Sequence, residues 1–226
     1  MERRGFIKFC AVSAAALGIG GEARAQTYAR ARLVDEKGLP LRASAVPVNR
    51  NLIFHYPFEA TPCFLLNLGK PVKPAQLKTV AGEPYEWKGG VGANRSVVAY
   101  SAICAHKLSY PTKDISFISF RSEKSARNRV ANVIHCCSEH SQYDPAEGAR
   151  VVAGPAPQPL TAILLEWDAA RDEIYAVGTL GGEMFNQFFE KYAFRLALEY
   201  PTPKNQIAGS CIVHPLDNYC RQQVRC

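Results

Sequence analysis

The stretch "IHCCSEHSQYD", Ile134 to Asp144, places two adjacent cysteines between two histidines. A second stretch, "CAH", places Cys104 and His106 two positions apart. Each motif follows an apolar, partly β-branched run, "SVVAYSAI" or "VANVI", which predicts a strand that ends in a turn. Two such turns side by side would offer thiolates and imidazoles to one metal centre.

The doubled cysteine requires a choice of ligand. A C-x-x-H spacing counted back from His140 selects Cys137, so the candidate metal ligands are Cys104, His106, Cys137 and His140. Neighbouring side chains on a strand point to opposite faces. We therefore expect Cys136 to turn away from the centre as a small buried apolar residue, with a disulfide as the alternative.

The two motifs, followed by "SQYD" and "GPAPQPL", resemble those of the Rieske iron–sulfur proteins. The resemblance covers residues 97–180 closely and "HYPFEATPCFLLNLG" loosely. It implies a mainly β fold, a Rieske-type antiparallel sandwich with cluster-binding loops, here followed by a C-terminal helix and tail. It also implies one 2Fe–2S cluster per chain, with Cys104 and Cys137 on one iron and His106 and His140 on the other.

The resemblance assigns further residues around the cluster. It implies a covering loop formed by Gly154, Pro155, Ala156 and Pro157. It also places the hydroxyl groups of Ser141 and Tyr143 near the sulfurs, although one residue is then missing after His140 relative to the respiratory proteins. Those relatives join their two cluster loops by a disulfide, whereas Ser109 and Glu139 occupy the corresponding places here.

The mixed ligand set determines what the centre would do. Thiolates are soft ligands that suit iron–sulfur clusters, and two neutral imidazoles leave less negative charge than four thiolates would. Such clusters accept an electron at roughly −150 to +300 mV, and hydroxyl donors to the sulfurs raise that potential. The same two cysteines and two histidines also suit a tetrahedral zinc ion, which would make the chain a structural zinc-binding module.

The first residues predict an export signal, residues 1–25. Arg3 and Arg4 precede a short apolar run, and "ARA" ends at Ala25, a pattern that resembles a bacterial twin-arginine signal cut before Gln26. The sequence therefore predicts export by the twin-arginine pathway and a periplasmic location. An uncleaved leader that anchors the chain to the membrane is the alternative.

Two regions follow the predicted signal. Residues 26–182 form the predicted Rieske iron–sulfur domain, with a buried strand in "ATPCFLLNLG" and a hairpin that pairs 162–167 with 173–177. Residues 183–226 form the predicted C-terminal helix and cysteine-containing tail, with one amphipathic helix up to Pro201. For the remaining cysteines we consider two disulfides, Cys211 with Cys220 and Cys63 with Cys226.

Composition and motifs together argue against two classes of function and favour a third, electron transfer. The 226 residues carry a net charge of +7 without a basic tail or basic helix, so we predict no nucleic-acid binding. After residue 180 the sequence offers only a helix, a short tail and His214, so we do not expect the second iron site of a Rieske oxygenase. We predict one-electron transfer as the small subunit of a periplasmic oxidoreductase, similar to that of arsenite oxidase, with a redox subunit or cytochrome as partner. The alternative is the Rieske subunit of a cytochrome bc-type complex, with a quinol as donor and membrane association through the partner.

Overall fold

A computed structural model describes residues 25–125 and 129–226. All but the last residue of the predicted export signal therefore lie outside the described residues. The prediction of a mainly β fold is confirmed, and the described α-helices are short and lie near the C-terminus. Within the described ranges, no helix is both long enough and apolar enough to span a membrane.

Eight strands of the described chain form the main sheet. In spatial order they are β14 (Gly209–Ile212), β1 (Gln26–Val34), β13 (Glu173–Leu180), β12 (Ala162–Asp168), β6 (Val97–Ser101), β3 (Pro62–Asn67), β2 (Leu52–His55) and β15 (His214–Pro215). The predicted hairpin is present as β12 and β13, which pair antiparallel. Strand β3 is the predicted buried strand, and all six of its residues are buried.

A four-stranded sheet carries the second half of the candidate site. Its order is β11 (Arg150–Ala153), β10 (Ser141–Asp144), β9 (Val133–Cys136) and β8 (Ile118–Arg121). Two small ribbons pair β4 (Ala75–Lys78) with β5 (Pro84–Trp87) and β7 (Ile115–Ser116) with β16 (Gln222–Gln223).

The core lies on both faces of the main sheet, because successive side chains of β3 alternate between them. Cys63 and Leu65 belong to one apolar cluster, whereas Phe64 and Leu66 belong to another. The second cluster also contains Ile134 and other residues of the four-stranded sheet. The two sheets are thus held together by one shared core, and Cys104 and Cys136 lie in it.

The prediction of one continuous C-terminal helix is wrong. The structure has α1 (Phe185–Lys191) and α2 (Ala193–Glu199), separated at Tyr192, where the backbone leaves helical geometry (φ −110°, ψ 16°). A third short helix, α3, covers Leu216–Tyr219. The buried aromatic side chains of α1 pack against Leu108 and Tyr110 of the loop that follows Cys104.

Candidate metal centre

The first loop of the site leaves β6 of the main sheet. Cys104 lies three residues beyond that strand, and its backbone N–H donates to the carbonyl of Ser109 at 2.9 Å. The N–H of Leu108 donates back to the carbonyl of Cys104, also at 2.9 Å, and Leu108 adopts a left-handed conformation (φ +60°). These bonds close a tight turn that fixes the position of the Cys104 side chain.

The second loop joins two paired strands of the smaller sheet. Cys136 is the last residue of β9 and lies opposite Ser141, the first residue of β10. The connecting turn, residues 137–140, ends at His140, which has a left-handed backbone (φ +59°). The N–H of Cys137 donates to the carbonyl of Phe117 at 2.6 Å, which attaches the start of the turn to the residue just before β8.

The sulfur atoms that meet between the loops belong to Cys104 and Cys136. Both side chains are fully buried in the same apolar cluster, and the Cys136 thiol donates a hydrogen bond to Ser109 Oγ at 3.9 Å. Hydrogen bonding with Cys136, helped by the Tyr143 hydroxyl and nearby N–H groups, lowers the pKa of Cys104 to about 6 despite its burial. Hydrogen bonding with Cys104 and burial raise the pKa of Cys136. Cys104 is therefore poised to be a thiolate.

Cys137 is not part of this pair, which corrects the ligand chosen from the sequence. Its side chain points to the opposite side of the strand from Cys136 and forms a disulfide with Cys226, with Cα atoms 5.7 Å apart. A disulfide sulfur carries no thiolate for a metal. The two neighbouring side chains point in opposite directions, as predicted. However, Cys136 lies on the side of Cys104, and Cys137 is the one that turns away.

The Cys137–Cys226 bond is the one disulfide among the described residues. The pairings considered from the sequence, Cys211 with Cys220 and Cys63 with Cys226, are both wrong. The described cysteines outside the Cys137–Cys226 bond are all buried and unbonded: Cys63, Cys104, Cys136, Cys211 and Cys220.

The two predicted histidine ligands lie on the two loops. His106 follows Cys104 on the first loop, and its Nδ1 is buried with no hydrogen-bond partner in residues 25–125 and 129–226. His140 is exposed at the end of the second turn, with its ring centroid 5.8 Å from that of His135. A buried ring nitrogen without a partner is costly unless another group satisfies it, and a metal ion is one such group.

The two predicted hydroxyl groups differ in their contacts. The Tyr143 hydroxyl lies beside a cysteine sulfur, whereas the Ser141 hydroxyl has no hydrogen-bond partner among the described residues. The Tyr143 oxygen lies 3.3 Å from the Cys104 sulfur and accepts a hydrogen bond from the Ala105 N–H at 3.2 Å. Burial raises the pKa of Tyr143, so its hydroxyl remains a donor. Ser141 is fully buried, and its Oγ has no partner among the described residues.

The Gly154–Pro157 loop packs directly on the second turn. Gly154 has φ +85°, and a Cβ atom built there would lie 2.5 Å from both the carbonyl oxygen of His140 and the Cα of Ser141. Only glycine permits this approach. Gly154 therefore packs against the backbone of His140 and Ser141.

A second group of metal-type side chains lies on the other face of the strand. The ligand atoms of His135, Cys137 and Cys226 all lie within 4.8 Å of one another. Because the two cysteines are bonded to each other, only His135 retains a ligand atom. Burial and the nearby positive groups His140 and Arg121 lower the pKa of His135 to about 4, so this imidazole is neutral near pH 7.

Sequence reasoning missed Cys136, although one signal pointed to it. Choosing Cys137 required one residue to be missing after His140. Counting back from the Ser141 and Tyr143 hydroxyl pair, with no residue removed, reaches Cys136 instead. The additional residue then lies between the cysteine and the histidine, so the motif becomes C-x-x-x-H.

Comparisons with known proteins find similarity to a reductase subunit and to a Rieske protein. Iodate reductase subunit IdrB from Pseudomonas sp. (strain SCT) is 27% identical over an alignment 190 residues long, and the match covers 80% of this chain and 80% of that protein. A solved structure, the soluble domain of Rieske protein II (soxF) from Sulfolobus acidocaldarius, matches with a TM-score of 0.49 and 26% identity. That match covers 69% of this chain and 82% of the solved one. No family model matches the chain.

Proposed function

We propose that this chain is the small electron-transfer subunit of a periplasmic oxidoreductase and holds a Rieske 2Fe–2S cluster. One iron would be bound by Cys104 and Cys136, and the other by His106 and His140. The observation that carries the proposal is the meeting of two buried sulfurs at the ends of β6 and β9, with a tyrosine hydroxyl 3.3 Å from one of them.

The residues present fit such a group by their chemistry. The lowered pKa of Cys104 favours the thiolate that iron requires. The Nδ1 of His106 and the Oγ of Ser141 are buried polar atoms that lack a protein partner, and a bound cluster would give each of them one. A cluster with this ligand set supplies one-electron transfer at a potential of roughly −150 to +300 mV.

The chain itself would adjust that potential through Tyr143. The Ala105 N–H occupies one lone pair of the tyrosine oxygen, so the hydroxyl hydrogen is free to point at the Cys104 sulfur. Such a bond strengthens as the sulfur becomes more negative, so it favours the reduced form. Ser141 is positioned at the start of β10 to act in the same direction.

The similarity to an iodate reductase subunit supports a role as a Rieske-type electron-transfer subunit that works with a redox partner subunit. The sequence of the predicted signal is the basis for the periplasmic location. A quinol donor in a cytochrome bc-type complex is the second candidate, favoured by the Ser141 and Tyr143 pair. Purification of the tagged chain from its own cells separates these candidates: a large soluble reductase subunit supports the first, and a haem b subunit supports the second.

Metal and sulfide analysis of anaerobically purified protein tests the proposed cofactor. We expect about two iron atoms and two acid-labile sulfides per chain, together with visible absorption bleached by dithionite. One zinc ion per chain, without sulfide or visible absorption, would instead support the structural zinc-binding module.

A further inference from the structure

The C-terminal tail lies alongside β7, in the segment that precedes the second cluster loop. Strand β16 pairs parallel to β7, so the tail runs alongside residues 113–116. Three backbone bonds of 2.8 to 3.1 Å attach it there, from Arg221 to Lys113, from Gln222 to Asp114 and from Val224 to Ser116. The tail is therefore an ordered segment of the small ribbon up to Val224.

The tail then joins the second cluster loop covalently. Beyond Val224 it reaches Cys226, whose sulfur is bonded to that of Cys137, the residue immediately after the proposed ligand Cys136. Side chains on either side reinforce this contact: Arg121 donates to the carbonyl of Val224, and Ser125 donates to that of Cys226 at 2.7 Å. The Cys226 sulfur also lies 3.6 Å from the ring nitrogens of His135.

The loop that receives this bond is exposed where it turns. Ser138, Glu139 and His140 are all exposed, although Cys136 just before them is fully buried. An exposed turn with a proposed metal ligand at each end opens more readily than the strands beside it unless something fixes it. The disulfide fixes the turn at its first residue, and Gly154 packs on its last.

We propose that the Cys137–Cys226 disulfide is a strap that holds the second cluster loop closed around the metal centre, with both cysteines as positioning residues. The inference rests on the proposed ligand pair Cys104 and Cys136. Closing the strap removes two electrons and two protons from two thiols. A disulfide-exchanging oxidoreductase of the export compartment would accept them as it is reduced to a dithiol.

The strap is tested with four single variants of the full chain, each purified anaerobically. Cys226→Ser and Cys137→Ser each open the strap, Cys136→Ser removes the proposed ligand, and Cys211→Ser is a control at a buried, unbonded cysteine of β14. The readouts are iron bound per chain, the rate of iron release to a chelator, and hydrogen exchange at the amides of 138–141. Mass spectrometry of the wild-type chain should find the Cys137–Cys226 bond.

We expect the two strap variants to bind iron as the wild type does but to release it about tenfold faster. Their exchange should quicken at 138–141 and remain unchanged in β14. Reducing the wild-type bond with a phosphine should reproduce this behaviour, and reoxidation should reverse it. Cys136→Ser should bind no cluster, whereas Cys211→Ser should resemble the wild type.

The other outcomes contradict distinct parts of the account. If Cys226→Ser releases iron and exchanges hydrogen at the wild-type rate, the strap has no positioning role, while the cluster assignment stands. If Cys137→Ser loses the cluster and Cys136→Ser keeps it, Cys137 is the ligand and the strap does not exist. If the wild-type chain itself binds no iron, the proposed function fails first.

Discussion

At the scale of single residues, the Tyr143 hydroxyl is the group best placed to change the reduction potential of a bound cluster. It is fully buried, 3.3 Å from the Cys104 sulfur, and its oxygen is already engaged by the Ala105 N–H. Hydrogen bonds to charged groups contribute more than those between neutral groups. The reduced state of a bound cluster, which carries one more negative charge, therefore gains most from this contact.

Tyr143→Phe should lower the reduction potential on the order of 50 mV, because the reduced state loses a charge-assisted hydrogen bond. Protein-film voltammetry measures the shift. Tyr100→Phe is the matched control, since that buried hydroxyl donates to the carbonyl of Pro145 at 2.7 Å. Equal potentials for the two variants would show that the Tyr143 contact does not act on the cluster.

Ser141→Ala should also lower the potential, because Ser141 Oγ is buried without a protein partner and is free to donate to a cluster sulfur. Ser116→Ala is the control, as its buried hydroxyl donates to the carbonyl of Ile118 at 2.7 Å. A potential for Ser141→Ala at or above that of the control would mean that this hydroxyl does not face the sulfurs.

At the scale of elements, the Gly154 loop and helix α1 support opposite sides of the site. Gly154 packs on the backbone of the second cluster loop, whereas Phe188 of α1 packs against Tyr110 beyond the first, with ring centroids 4.9 Å apart. Neither element supplies a proposed ligand. Each instead limits the movement of a loop that does.

Gly154→Ala should weaken cluster retention, because its Cβ would meet the His140 carbonyl at 2.5 Å in addition to the strain of a positive φ. Gly82→Ala separates these two effects, since Gly82 has φ +83° and open space around its Cβ position. Iron release to a chelator should quicken for Gly154→Ala alone. Equal rates for both variants would contradict the close packing of this loop on the second turn.

Phe188→Ala should lower the free energy of unfolding by about 3 to 5 kcal/mol, because it empties a fully buried aromatic site. Chemical denaturation followed by circular dichroism measures the change. Phe194→Ala on α2 is the control: Phe194 is 81% exposed, and its loss should cost less than about 0.5 kcal/mol. Similar losses for both variants would mean that α1 does not pack on the first loop.

The sequence predicted the elements better than the connections between them. A short apolar run identified β3, and two strand-like runs on either side of a turn identified the hairpin of β12 and β13, because those signals are local. The break at Tyr192 depends on tertiary packing, so the periodicity of 183–200 suggested one helix instead of two. The contact between Cys137 and Cys226 joins residues 89 positions apart, and no local pattern marks it. Without it, the choice between adjacent cysteines had to be made from spacing alone.

At the scale of the whole molecule, acid should destabilise the fold through the half-buried His55. Burial, with the nearby positive groups His214 and Lys113, lowers the pKa of His55 to about 4. Its Nε2 also lies 3.2 Å from the Tyr200 hydroxyl. The folded chain therefore keeps His55 neutral at pH values where the unfolded chain, with a pKa near 6.5, takes up a proton.

Because the unfolded state binds more protons, the free energy of unfolding should fall as the pH drops from about 6.5 to 4, by up to about 3 kcal/mol from His55. Denaturation curves at several pH values measure the slope. His55→Gln should flatten it, whatever its effect on stability at pH 7. An unchanged slope in His55→Gln would contradict the low pKa.

The central claim is that two cysteine sulfurs bind one iron and two histidine nitrogens bind the other. The most direct test is electron paramagnetic resonance of the dithionite-reduced protein, with nitrogen hyperfine couplings compared between natural-abundance and ¹⁵N-histidine samples. The account predicts a reduced-cluster signal coupled to two histidine nitrogens, retained in Cys137→Ser and lost in Cys136→Ser. A cluster signal without histidine coupling, or no signal from the wild-type chain, would contradict it.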